Sequence, residues 1–196
     1  VERMALHYQE SDPIILGSGE LYLALANEIT NPEDFENFDD TNLINIGAIE
    51  SGANVNIATE KGEIRSSNRG LITKYSIGKD VRFSTGVMTW NMESMSKFLT
   101  GSEYEEDITN GIRKMVISAK DEPPTCYLRF VHEKKDGSGK LIANIYKAQF
   151  DGDLNFVFDT ENPTTINYEF VGLETDNKNY IEFIETFIPG GGVPEV

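Results

Sequence analysis

Between Trp90 and Gly101 the chain spells out one short helix with both ends marked, while nearly everything on either side alternates apolar and polar residues with the period of a strand. That contrast confines the chain to a mainly β fold with a single helix covering a sheet. Asn91 stands as the N-cap, Trp90 and Met95 are spaced as a hydrophobic staple across it, and Gly101 sits where a left-handed residue ends a helix. Over residues 91–100, Met92, Met95 and Leu99 share one face, with Met88 and Phe98 near its edge. Trp90, Met92, Met95 and Leu99 are therefore the expected packing residues. Glu93 and Lys97 lie four apart on the solvent side.

The flanking segments read as antiparallel strands joined by turns. Gly17-Ser18-Gly19 opens Glu20 to Ala26, read as a strand, and the acidic stretch Asn31 to Thr41 reads as a surface loop anchored by Phe35 and Phe38. Leu43 to Ile49 and Asn54 to Ala58 alternate around Ser51-Gly52 as a first hairpin. Thr59 to Asn68 follows with only Ile64 apolar and reads as an exposed loop. Leu71, Thr73, Tyr75 and Ile77 then turn at Gly78-Lys79-Asp80 and return as Val81, Phe83, Thr85 and Val87, a second hairpin. After the helix, Glu103, Glu105, Glu106 and Asp107 read as an acidic loop before the strand-like Ile112 to Ala119. Thr125 to His132 puts Cys126, Leu128, Phe130 and His132 on one face and Tyr127, Arg129 and Val131 on the other. Leu141 to Phe150, a strand carrying Leu154, Phe156 and Phe158, and one carrying Ile166, Tyr168 and Phe170 complete the pattern. Tyr180 to Ile188 is open between strand and helix, and Pro189-Gly190-Gly191-Gly192 predicts a flexible end.

The chemistry that composition permits is narrow. With 33 acidic against 17 basic residues the net charge is −16, which opposes any direct grip on nucleic-acid phosphates. One cysteine, Cys126, allows neither an intramolecular disulfide nor a multi-cysteine zinc site. No apolar run approaches the ~18 residues of a spanning helix, and Val1-Glu2-Arg3 does not open like a signal peptide, so neither a membrane partner nor export is expected. The two histidines, His7 and His132, give a nucleophile no base within reach, because Cys126 and His132 stand at opposite ends of one strand. Gly17-Ser18-Gly19 and Gly137-Ser138-Gly139 lack the lysine of a phosphate loop, and the carboxylates of Asp151 and Asp153 flank a turn glycine. No catalytic, cofactor-binding or metal-binding set is expected, and no cofactor.

The order of features resembles the tail tube proteins, or major tail proteins, of tailed bacteriophages. The resemblance rests on Gly17-Ser18-Gly19-Glu20-Leu21-Tyr22, on Ile46-Gly47-Ala48-Ile49-Glu50-Ser51-Gly52-Ala53 leading into a polar loop, and on Met88-Thr89-Trp90-Asn91-Met92-Glu93-Ser94-Met95 before the helix. It runs from the glycine turn to Phe170. It implies a β-sandwich or barrel of antiparallel strands with one flanking helix, in a single domain over 1–178 that includes an N-terminal arm, with 179–196 as a C-terminal arm. Copies of such a protein form hexameric rings stacked into the hollow tail tube of the virion, assembled in the host cytoplasm. Tape-measure, tail-terminator and baseplate or distal tail proteins are the implied partners, with a sheath only if the tail contracts. DNA passes through without specific binding. The loop, through Glu60, Lys61, Glu63, Arg65 and Asn68, would bridge to a neighbouring ring, and Glu50 and Asp80, near the expected turns, would face the lumen. The alternative is an acidic β-sandwich module binding carbohydrate or protein through Tyr8, Tyr104 and Tyr180.

Overall fold

The computed structural model describes residues 19–34, 36, 38–47, 49–119, 122–134, 137, 139–156 and 164–186, with Glu50 and Ser51 described by backbone alone. Among the described residues, ten strands and one α-helix follow in the order β1 (Glu20–Leu25), β2 (Ile44–Asn45), β3 (Ile49–Ser66), β4 (Gly70–Val87), α1 (Met92–Phe98), β5 (Ser102–Asp107), β6 (Ile112–Ile117), β7 (Cys126–Glu133), β8 (Lys140–Phe150), β9 (Ile166–Gly172) and β10 (Ile181–Glu185). Eight strands form one antiparallel sheet in the order β2-β1-β7-β8-β9-β4-β3, with β10 also paired to β8. β5 and β6 make a separate two-stranded hairpin. The fold is mainly β with one helix, as the alternation demanded.

Alternation along the central strands divides the side chains between two faces. Leu21, Leu23, Cys126, Leu128, Ile145, Phe83 and Phe170 are buried on the face that α1 covers. Ala24, Tyr127 and Tyr146 emerge on the other, where Ile29, Phe38 and Leu43 close over them. Phe38 stacks on Tyr127 at 5.3 Å, and the Arg129 guanidinium lies 3.8 Å from the centre of the Phe38 ring, so the acidic loop is anchored through that residue. Phe35, the other expected anchor, is outside the described residues.

The helix begins where its cap was expected. Asn91 Oδ1 accepts from the backbone N–H of Ser94 at 3.0 Å, and Gly101 is left-handed at φ 72° just beyond the last turn. Met95 and Phe98 are fully buried, and Met92 and Leu99 are partly buried against the same core. Phe98, expected at the edge of the helical face, is at its centre: its ring lies 5.0–5.3 Å from those of Phe150, Tyr168 and Phe170. Trp90 is 51% exposed, with its indole 5.0 Å from Phe156. Lys97 bonds Glu28 at 2.9 Å, tying the helix back to the end of β1.

Several segments depart from the expectation. Ser51-Gly52 is a bulge and no turn: Ile49 pairs with Val87 and Ala53 with Thr85, so β3 carries extra residues there, with Gly52 at φ 92°. Gly78-Lys79-Asp80 is likewise no turn, because these residues pair with Glu60, Thr59 and Ala58. The supposed loop from Thr59 runs on as strand as far as Ser66. Two expected hairpins are therefore one long one. The acidic stretch after Gly101 is also strand, β5, in register with β6 from Ser102↔Ile117 to Asp107↔Ile112. Conversely Leu154 and Phe156, expected on a strand, pack on the core from a non-strand segment, and Phe158 is outside the described residues. Tyr180 to Ile188, open between strand and helix, supplies β10, so the main sheet draws strands from both sides of residue 179.

Candidate assembly surface

The long hairpin starts as part of the sheet and leaves it. β9 pairs with β4 from Val87↔Ile166 to Val81↔Gly172 and ends there. β3 and β4 continue alone from Ala58↔Asp80 to Ser66↔Gly70, which at ~3.3 Å per residue is an arm of about 30 Å. Register shifts at Glu60/Lys61 and Ile64/Arg65 place the unpaired extra residues Ile77 and Ile72 on β4. Each bulge adds local twist to the ribbon. The tip is Ser67-Asn68-Arg69, where Ser66 Oγ donates to Asn68 Oδ1 at 2.5 Å. Gly62 allows Tyr75 to lie across the partner strand, since a Cβ at 62 would meet the Tyr75 ring at 2.4 Å.

Cross-strand partners share a face, so the register sorts the arm's side chains. One face continues the core side from Val55/Phe83 and Ile57/Val81 into Thr59/Lys79, Lys61/Ser76, Glu63/Lys74 and Arg65/Leu71. Glu63 is held there by Arg65 at 2.6 Å and Lys74 at 3.0 Å, and these two cations keep its carboxyl below the usual range, Lys74 more than Arg65. The opposite face carries Glu60/Gly78, Gly62/Tyr75 and Ile64/Thr73. Ile57, Ile64, Leu71, Ile72, Tyr75 and Ile77 are all exposed, Ile77 at 64%. Among the described residues the arm has no strand beyond its own two on either edge. Unpaired backbone edges and a run of bare apolar side chains are the features of a surface on which a further strand can pair.

The β5–β6 hairpin repeats this design on a smaller scale. Tyr104 and Met115 turn inwards, whereas Ile108, at its tip, is 86% exposed and Ile112, Val116 and Ile117 are exposed along β6. Asp107 accepts from the backbone and side-chain N–H groups of Asn110 at 3.1 and 2.7 Å, closing the turn and lowering its own pKa.

Of the residues singled out from the sequence, Glu60, Lys61, Glu63 and Arg65 lie along β3 in the arm and Asn68 lies at its tip. They belong to a paired ribbon, which corrects the reading of a loop. Asp80 is inside β4 and away from any turn: Arg82 bonds it at 3.0 Å and also bonds Asp151 at 2.8 Å and Glu169 at 3.0 Å. Those partners, Asp80 foremost, push the Arg82 guanidinium pKa up. Glu50 lies in the β3 bulge, also away from a turn. Of the arm's exposed apolar residues, Leu71, Tyr75 and Ile77 fall on an expected hairpin strand and Ile64 in the expected loop. Their signal was Leu71-Ile72 in succession, which serves both faces of a strand at once.

The residues considered for chemistry are spread apart. Cys126 is buried, its thiol donating to the Lys97 carbonyl at 3.4 Å, and burial pushes its pKa up to about 12. His132 is buried at the far end of β7. Tyr104 and Tyr180 are half-buried, with the Tyr180 hydroxyl donating to Glu174 at 3.0 Å; Tyr8 and His7 are outside the described residues. Two open surface clefts, of about 550 Å³ beside Arg129 and Glu133 and about 610 Å³ beside Glu33 and Tyr146, include neither Cys126 nor His132 in their walls. Among the described residues no helix is long and apolar enough to cross a membrane.

No protein-family profile and no curated protein sequence matches the chain. Among solved structures it is similar to a cryo-EM structure of the anti-feeding prophage cap, described as the tube terminating cap. The similarity has a TM-score of 0.47 and 8% identity over 94% of this chain and 97% of that one.

Proposed function

We propose that the chain is a non-enzymatic structural subunit of a phage tail-like tube, in which copies form six-fold rings stacked around a channel that conducts DNA. The single observation that carries this reading is the β3–β4 arm, about 30 Å of ribbon with bare apolar side chains and open edges. A two-stranded ribbon is marginal alone in water, so such an arm fits a chain whose sheet is completed by neighbours. Strand addition from copy to copy would close the sheets into a barrel around the channel. The charge of −16 per subunit suits the duty, since an anionic wall repels phosphate and forgoes the counterion release that makes basic surfaces adhere to DNA. On this reading the protein resides in the virion after assembly in the host cytoplasm, contacts tape-measure, terminator and distal tail proteins, and meets a sheath if the tail contracts.

Electron microscopy of the concentrated, purified chain is the test. Rings or tubes are expected at high concentration, with a strong dependence on salt because like-charged subunits repel. Monomers alone under every condition, with tail-assembly partners included, defeat the reading.

A further inference from the structure

The arm is charged against the rest of its own molecule. From Ala58 to Asp80 stand five basic residues, Lys61, Arg65, Arg69, Lys74 and Lys79, and three acids, Glu60, Glu63 and Asp80, so this segment is +2 in a chain of net −16. The register concentrates the excess: Lys61, Arg65, Lys74 and Lys79 share the arm face that continues the core side, with Glu63 as the one acid among them. Ile57 and Leu71 lie on that same face and are exposed.

The β5–β6 hairpin presents the complement. Its pairing puts Glu103, Glu105 and Asp107 on one face with Lys114, Ile112 and Val116, opposite the face of the half-buried Tyr104 and Met115. Glu105 meets Lys114 only at 3.5 Å, with both side chains more than half exposed, a contact that holds neither firmly. Three carboxylates against one ammonium, interleaved with two bare apolar residues, mirror the arm's four cations, one carboxylate and two bare apolar residues. Packing within one protomer leaves both faces exposed.

We propose that the basic face of the β3–β4 arm of one copy docks on the acidic outer face of the β5–β6 hairpin of the next copy, a head-to-tail contact between two different patches. The proposal rests on the self-assembly reading and specifies its interface. A contact of this kind repeats from copy to copy and closes into a ring when its rotation permits. Complementary charge fixes the partner and the register, while Ile57 and Leu71 against Ile112 and Val116 supply apolar burial.

Charge reversal tests it on the full chain. Lys61→Glu with Lys79→Glu, and separately Glu103→Lys with Glu105→Lys, alter exposed positions, and circular dichroism of each variant checks that it stays folded. Each pair should raise the concentration needed for assembly, read by sedimentation and electron microscopy, by about tenfold or more, because like charges then face each other. A chain carrying all four changes should recover to within about threefold of the original, as should an equal mixture of the two reversed chains. A direct contact test mixes a Ser76→Cys chain with a Glu105→Cys chain under oxidation. A disulfide-linked heterodimer is expected, and the buried native Cys126 does not compete. If the unaltered chain assembles but the reversed chains assemble as well as it does, or the fourfold variant stays folded without recovering, the docking proposal is wrong while the assembly reading stands. If the unaltered chain never assembles, both fall.

Discussion

Phe98 and Arg82 act on opposite faces of the same part of the sheet, beside β9, in different ways. Phe98 fills the space under α1 with three aromatic neighbours within 5.3 Å, and none of its surface is exposed. Phe98→Ala removes the ring and leaves a cavity that the sheet cannot collapse into, so a loss of about 3–5 kcal/mol is expected in urea unfolding. Arg82 works through charge at the rim, where Asp80, Asp151 and Glu169 all bond it. Arg82→Gln leaves three carboxylates facing one another. The thermal midpoint should fall at low salt, and the fall should shrink as salt is added, because the group is solvent-exposed and screening reaches it. The same geometry weakens Asp80 as a source of repulsion for DNA, since its charge is already countered from within the chain. The N-cap and the staple-spaced Trp90 and Met95 mark the helix in the sequence, but the identity of its central core residue does not follow from spacing. Phe98 becomes central because the rings of β8 and β9 converge on it.

The arm shows why periodicity reads some strands and misses others. Period-two alternation appears only where one face of a strand is buried and the other wet, as in Val81 to Val87, where alternate side chains are buried. From Ala58 to Asp80 both faces of the ribbon are exposed, so the polar half of the hairpin carries no alternation and resembles a loop. Gly78-Lys79-Asp80 has turn composition, yet the backbone ladder runs straight through it. The arm takes no part in the main core, and its removal tests that independence. Joining Ala58 to Asp80 through Asn-Gly, which suits the tight hairpin turn there, should leave cooperative unfolding and the strand signature of circular dichroism intact. It should also abolish assembly. A shortened chain that fails to fold would show that the arm supports the sheet it leaves.

Across the whole molecule, buried titratable groups set an alkaline limit to the fold. Burial pushes the Cys126 thiol from 9.0 up to about 12, and the Tyr127 and Tyr168 hydroxyls from 10.0 up to about 12. Each group is neutral in the folded chain and ionises more readily once unfolded, so between those values the unfolded state binds fewer protons. Stability is therefore held below pH 9 and falls steadily as pH rises from 9 to 12. Thermal midpoints measured through that range should drop together with a cooperative rise in tyrosinate absorbance. A flat profile would mean that these side chains reach water in the native protein. The net charge acts at this scale as well: −16 per chain opposes crowding of copies, and the proposed docking of the positive arm is the contact that would have to overcome it.

The residues in order were enough to require a mainly β chain with one capped helix, a buried thiol at Cys126 and the alternating core strands around it, because capping and one-sided burial each leave a local pattern. Charge and composition likewise disfavoured a grip on nucleic acid and an ordinary catalytic site. Local pattern could not show that two apparent hairpins are one, that Asp80 is matched by Arg82, or that bare apolar residues line a projecting ribbon. Those facts depend on which backbone edges find partners and where β9 stops. Pairing between distant segments follows from the packed whole, and no window of neighbouring residues contains it.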